Sequence, residues 1–285
     1  MKWTSGDRGN IEDLRGSSGG MRGVPMGIGG VLVLLLLSWA TGVDFLSLVG
    51  GGGGAAPTTN VGTSGPVASS PAEEKTVDFL DAVMADAQST WQQLLGPRYE
   101  RTTLRLFRDS IVTEGCGQAS AASGPFYCPG DRHVYLDLGF FDELRQRFGA
   151  SGDFAEAYVV AHELGHHVQA LTGIESKMRQ QQARDPSQRN ALSVGLELQA
   201  DCFAGVWAHA TATPSNGAPR RVQMEPGDLE EGLKAAAAIG DDRIQRMSTG
   251  RVFPEKFTHG TSQQRVSALR RGFEGGDPQT CNTLQ

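Results

Sequence analysis

His162-Glu163-Leu164-Gly165-His166 decides how this chain is read. The run has the H-E-x-x-H spacing of zinc hydrolases. On a helix, residues four apart stack on one face, so the two imidazoles can share one ion. Glu163 lies about 100° around the helix from His162, beside the pair, where it can act on a water instead of the metal. The flanks predict a helix from Asp153 to Thr172, with Ala155, Tyr158, Val159, Ala161, Leu164 and Val168 at near-helical spacing. Asp153 suits its N-cap and Gly173 its stop. Apolar residues on so many sides predict a buried helix; the bland alternative is a pair of satisfied core histidines.

Two ligands do not complete a catalytic zinc site, which usually has three protein ligands plus water. The extended pattern H-E-x-x-H-x-x-G-x-x-H is excluded, because Gln169 and Thr172 stand at its Gly and third His. A Glu from a second helix is the other solution, and Glu197-Leu198-Gln199-Ala200-Asp201-Cys202 supplies it. Glu197 and Asp201 are four apart in an apolar stretch from Leu192 to Trp207, where an unpartnered acid is costly to bury. A metal for Glu197 and a ligand N–H for Asp201 would partner them; a solvated helix edge is the plainer alternative.

One zinc per chain held by His162, His166 and Glu197 would activate a water, with Glu163 as general base. Amide hydrolysis of peptides or exported proteins is the matching chemistry. His259, before a helix whose Thr261 and Gln264 form a capping box, is the candidate oxyanion donor, or else a structural hydrogen-bonding group. Tyr135, on the predicted strand Arg132–Leu138, is a second candidate donor, and that strand could pair with an extended substrate. His133 reads as exposed. His167, about 140° from His162, points away from the metal and reads as packing or as a support behind the ligands.

These stretches, with Gly124-Pro125-Phe126-Tyr127-Cys128-Pro129, Val134-Tyr135-Leu136-Asp137 and His259-Gly260-Thr261-Ser262, occur in the order of a known family. The chain resembles the neutral zinc metallopeptidase family of bacterial membrane-anchored proteins, the YpfJ-like family. The resemblance implies a zincin-type fold and an extracytoplasmic catalytic domain, and supplies no substrate. His133 departs from it, at a position where a Lys or another polar residue is expected.

The expected fold class is α+β: a mainly helical zincin-like domain with a small sheet, preceded by one transmembrane helix. Residues 1–25, Gly-rich with Lys2, Arg8, Arg15 and Arg22, read as a disordered cytoplasmic head. Residues 26–43 are apolar and uncharged, at the lower limit of a spanning helix. Arg15 and Arg22 before them and Asp44 after them place the C-terminal part outside, as a single-pass protein. A cleaved signal peptide ending near Ser38-Trp39-Ala40 is the competing reading. Residues 44–71 form a Gly/Pro/Ser/Thr linker, and residues 72–285 suit one domain. Helices are expected over Thr76–Leu95, Phe141–Phe148, Gly227–Ile239 and Thr261–Phe273, and strands over Thr103–Thr113 and Arg132–Leu138. Residues 175–190, Gln/Arg-rich, read as a solvated connection, with a cover over the metal as the alternative. The formal net charge of −6 and the lack of a basic patch argue against nucleic acid.

Four cysteines fit an oxidising compartment and allow three pairings. Cys116 and Cys128 bracket a small-residue loop, which leaves Cys202 and Cys281 to tie the C-terminal tail to the second metal helix; a buried free Cys202 is the alternative. The two functional classes are an anchored zinc peptidase and a non-catalytic binding module on a zincin scaffold. A purely structural zinc would usually have four protein ligands, which favours the enzyme. The same ligand set also suits iron or manganese.

Overall fold

The computed structural model describes residues 1–16, 69–213 and 220–282. Its centre is a pair of crossing helices, α3 (Asp153–Leu171) and α5 (Arg189–Ala212). Both are apolar on most sides because each is covered on most sides. α1 (Pro71–Leu95) and α6 (Asp228–Ala238) pack on α3, while α8 (Ser262–Gly275) packs along α5. α5 and α8 approach so closely that a Cβ on Gly272 would lie 1.9 Å from the Cys202 carbonyl oxygen, and one on Gly205 2.1 Å from that of Leu269. Only glycine fits such a crossing. α1 starts as its sequence dictates, with Pro71 in the first turn and a capping box between Ser70 and Glu73. The capping box expected of Thr261 and Gln264 is present on α8.

A four-stranded sheet lies over α3 in the order β2 (Ile11–Asp13), β3 (Leu104–Phe107), β7 (His133–Asp137), β6 (Phe126–Cys128). The first three run parallel, with Ile11 opposite Leu104 and Leu104 opposite Val134; β6 is antiparallel to β7, with Tyr127 opposite Val134. Leu104, Leu106, Val134 and Leu136 share one core with Val159, Val160 and Leu164 of α3. β4 (Ser110–Thr113) and β5 (Gly117–Ser120) form a hairpin beside the sheet. The strand expected over Thr103–Thr113 is thus two strands, broken at Asp109, whose φ is +60°. Gly139–Gln146 is α2; Ile174–Arg184 is α4 and Asp241–Thr249 is α7. The α+β class holds. Among the described residues no helix is long and apolar enough to cross a membrane, and the expected spanning segment 26–43, like residues 44–68 of the linker, lies outside them.

The expectation of a disordered head is corrected for residues 1–16. β1 (Lys2–Trp3) pairs antiparallel with β8 (Val222–Gln223), and β2 adds a strand to the main sheet. Arg8 bonds Asp78 and Glu74, and the Asn10 backbone N–H and side chain donate to buried Asp81. The Met1 ammonium sits 2.9 Å from Asp153 Oδ2 and 3.3 Å from Asp228 Oδ1, at the start of α3 and α6. This cation neutralises part of the acid cluster Asp153, Asp228 and Glu231. Buried Arg15 lies 2.9 Å from Glu74. The two flanks of residues 17–68 therefore meet on one body, whereas a single membrane crossing between them would set Arg15 and Glu74 on opposite sides. The structure does not support the single-pass arrangement with a cytoplasmic head.

Both disulfides pair as expected, Cys116 with Cys128 and Cys202 with Cys281. The first ties the β4–β5 hairpin to β6, and the second ties the C-terminal turn to α5.

Candidate metal centre

α3 and α5 cross at Gly165. A Cβ there would stand 2.9 Å from the Ala200 Cα and carbonyl oxygen, so the glycine inside the H-E-x-x-H run lets α5 come close enough to present Glu197 and Asp201. His162, His166 and Glu197 then converge, each offering one ligand atom within 4.8 Å of the others. The His162 Nε2 lies 3.2 Å from one Glu197 oxygen and the His166 Nε2 3.5 Å from the other. Their rings are perpendicular, 4.8 Å apart.

The outer nitrogens are already engaged. His162 Nδ1 donates to Asp201 Oδ1 at 2.8 Å, and His166 Nδ1 to Gln169 Oε1 at 2.9 Å. The Gln169 amide is oriented by its own donations to the Leu196 carbonyl and to Gln199 Oε1, and Gln199 in turn donates to the Cys281 carbonyl. With a proton on each Nδ1, each Nε2 presents a lone pair toward a carboxylate, an arrangement that needs a cation or further protons between them. Two imidazole nitrogens and a carboxylate with one side open to a cleft are a fitting donor set for zinc. Without a metal, protons take that role: burial opposes the charge on His162, but Asp201 and Glu197 outweigh it and push its imidazole up to about 10. Burial also opposes charge on Glu197, yet the two imidazoles hold its carboxyl well below the usual range.

Asp201 is fully buried beneath His162. Arg265 of α8 bonds both its oxygens at 2.9 Å, and the Tyr158 hydroxyl donates to Oδ1 at 2.5 Å. Arg265 supplies the countercharge that makes the burial of an acid tolerable. Arg265, Tyr158, Gln169 and Gln199 belong to the site and were not found by sequence reasoning; Tyr158, Gln169 and Gln199 share a helix with a residue that was, and Arg265 lies on the helix that follows His259.

Glu163 is nearly buried and lines a cleft of about 700 Å³ together with His162, His166, Glu197 and His259. His259 is half exposed; its Nδ1 lies 3.2 Å from Asp241 Oδ1, and the other Asp241 oxygen accepts the backbone N–H of Thr258, His259 and Gly260. Burial opposes its charge, but Asp241 raises its pKa overall. Tyr135 is corrected as a candidate donor: it is buried on β7, stacked on Phe126, with its hydroxyl on Asp131 and Arg105. β7 is also an interior strand, so it cannot receive a substrate; the strand at that edge of the sheet is β6, whose Phe126 and Tyr127 line the cleft. His133 is partly buried instead of exposed. His167 points away from the metal donors, as expected, and is buried with its nitrogens 3.1 Å from the Tyr127 hydroxyl and 2.7 Å from the Glu100 carbonyl. The segment read as a solvated connection is largely α4, whose Glu175, Arg179 and Gln182 form a wall of the cleft.

No solved structure matches this chain. It is 45% identical over 297 residues to the uncharacterized protein YpfJ of Escherichia coli K12, covering 100% of this chain and 99% of that protein. It is 46% identical over 202 residues to the uncharacterized protein Rv2575 of Mycobacterium tuberculosis H37Rv, covering 69% of this chain and 66% of that protein. The family described as "Putative neutral zinc metallopeptidase" matches residues 1–284, and the chain belongs to that family.

Proposed function

We propose that this chain is a zinc-dependent peptidase that hydrolyses peptide bonds in peptides or exported proteins. The observation that carries the reading is the convergence of His162, His166 and Glu197 on one point, with both outer imidazole nitrogens held by acceptors. These three residues would hold one zinc ion. When bound, it supplies a Lewis acid that lowers the pKa of water and polarises a carbonyl.

The chain's own residues do the rest. An extended peptide adds to the edge of β6 through backbone hydrogen bonds, which sets its carbonyl over α3. Glu163 takes a proton from the attacking water and returns it to the leaving amine. His259, anchored by Asp241, donates to the oxygen on which negative charge develops. The two disulfides support work in an oxidising compartment, outside the cytoplasm.

Glu163→Gln is the test, because it removes the base and leaves the three metal donors intact. The variant is expected to keep its zinc and to lose peptide hydrolysis by about 10²-fold or more. Unchanged turnover in a zinc-loaded Glu163→Gln protein would refute the assigned base.

A further inference from the structure

The cleft runs along α3, and its two ends differ in chemistry. Val159, Glu163, His166 and Gln169 line it in order along the helix. Beyond Gln169 the walls are polar, made by Glu175, Arg179 and Gln182 of α4 and Ser193 of α5. At the Val159 end Phe140, Phe148, Ile239, Ile244 and Met247 supply apolar surface, beside Ser248 and the Arg147–Glu143 ion pair at the end of α2. This end is continuous: Arg243 of α7 donates to the Phe148 carbonyl at 2.7 Å, and α7 follows α6 directly after Ile239. Ile244 and Met247 share one face of α7, yet they are 37% and 50% exposed. Among the described residues only two other large apolar side chains, Leu94 and Val112, are exposed to this degree, and neither lines the cleft. An apolar face left open inside a cleft that Glu163 also lines lacks an occupant.

We infer that Phe140, Phe148, Val159, Ile239, Ile244 and Met247 form a specificity pocket for the large apolar residue that follows the scissile bond, of Leu, Met or Phe size. The side follows from proton transfer. Glu163 hands its proton to the leaving amine, so the residue bearing that amine lies on the Glu163 side of the metal donors, and Val159 is four residues before Glu163 on the same face. The inference rests on the peptidase reading and adds the substrate class to it.

The test uses the full chain loaded with zinc and a randomised peptide library, with cleavage sites mapped by mass spectrometry. A second readout, independent of turnover, is equilibrium binding to Glu163→Gln of two peptides that differ only after the scissile bond, Phe against Ala. Cleavage before Leu, Met or Phe is expected, with the Phe peptide binding at least about tenfold tighter. The Ile244→Ser/Met247→Ser double variant should lose that tenfold, and Val112→Ser, away from the cleft, should keep it. Both replaced residues are exposed, and thermal melting checks that the double variant stays folded. Cleavage without apolar preference, or a preference kept in the double variant, overturns the pocket and leaves the peptidase reading standing. A dimer of the wild type that the double variant abolishes, with cleavage preference unchanged, assigns the face to a second copy and also overturns it. No cleavage by the zinc-loaded wild type removes the peptidase reading and the pocket with it.

Discussion

Each candidate ligand imidazole is turned by an acceptor on its far nitrogen, and the two acceptors differ. His162 is held by a charged carboxylate that Arg265 neutralises, and His166 by a neutral amide whose own orientation is fixed by Leu196 and Gln199. Such partners typically carry 10- to 100-fold in metal affinity. Gln169→Ala is therefore expected to weaken zinc binding by about that factor, measured by competition with a chelator, while the fold persists; unchanged affinity would mean that His166 is oriented by its packing alone. The two histidines were legible because four-residue spacing stacks them on one face, Glu163 because the H-E-x-x-H run sets it beside them, and Glu197 because it is an acid four before Asp201 in an apolar stretch. Gln169, Tyr158 and Arg265 were not. A neutral amide, a phenol or an arginine on a helix reads as ordinary packing or solvation until the crossing helix that supplies its partner is known. Gln169 is instructive, since it stands beyond the second histidine where a Gly is expected in the three-histidine pattern and serves the site from there without touching the metal position.

At the scale of the element, α3 carries apolar residues, the base and two ligands because it is buried on nearly all sides, and that burial reaches its first turn. Burial pushes the Glu156 carboxyl up to about 7 against the opposing pull of Arg145. The sign is that of an acid that binds its proton more tightly when folded. Between about pH 4.5 and 7 the folded state holds more protons than the unfolded one, so stability falls as pH rises through that window and stays lower above it. Glu156→Gln keeps the hydrogen-bonding shape and removes the titration. Its unfolding free energy should exceed that of the wild type by on the order of 2 kcal/mol at pH 8, with the gap closing toward pH 4.5. A gap independent of pH would mean that Glu156 is not the group responsible. The long helices were legible from their period; of the expected caps the Thr261–Gln264 box is present on α8, whereas Gly152 and not Asp153 is the N-cap of α3, and α1 starts at Pro71, before the expected Thr76. α4 escaped because a Gln/Arg-rich run carries almost no apolar stripe, and α7 because its apolar residues, Ile244 and Met247, meet the cleft instead of the core. β6 escaped because three residues are too few to show an alternation.

For the whole molecule, the first sixteen residues are part of the domain and not a tail hung from it. Their composition, rich in Gly and charge, reads as disorder because β1 and β2 contribute only two and three residues, and the other anchors include ion pairs to α1, α3 and α6 that no local pattern announces. The consequence is topological: residue 7 and residue 112 lie on one body, hence on one side of any membrane. In intact cells, Asp7→Cys and Val112→Cys single variants should react alike with an impermeant maleimide, both labelled or both protected; labelling of one alone would separate the strap from the domain. The same docking requires that the zinc centre be assayed in the full chain, since the Met1 ammonium and Arg15 bear on the starts of α3 and α1. The most direct test is the zinc content of that full-length protein beside its Glu197→Ala variant, by elemental analysis after reconstitution. About one zinc per chain in the wild type, and its loss in the variant, is the expected result. A wild type that takes up no zinc, or a Glu197→Ala protein that keeps it, would contradict the His162–His166–Glu197 centre.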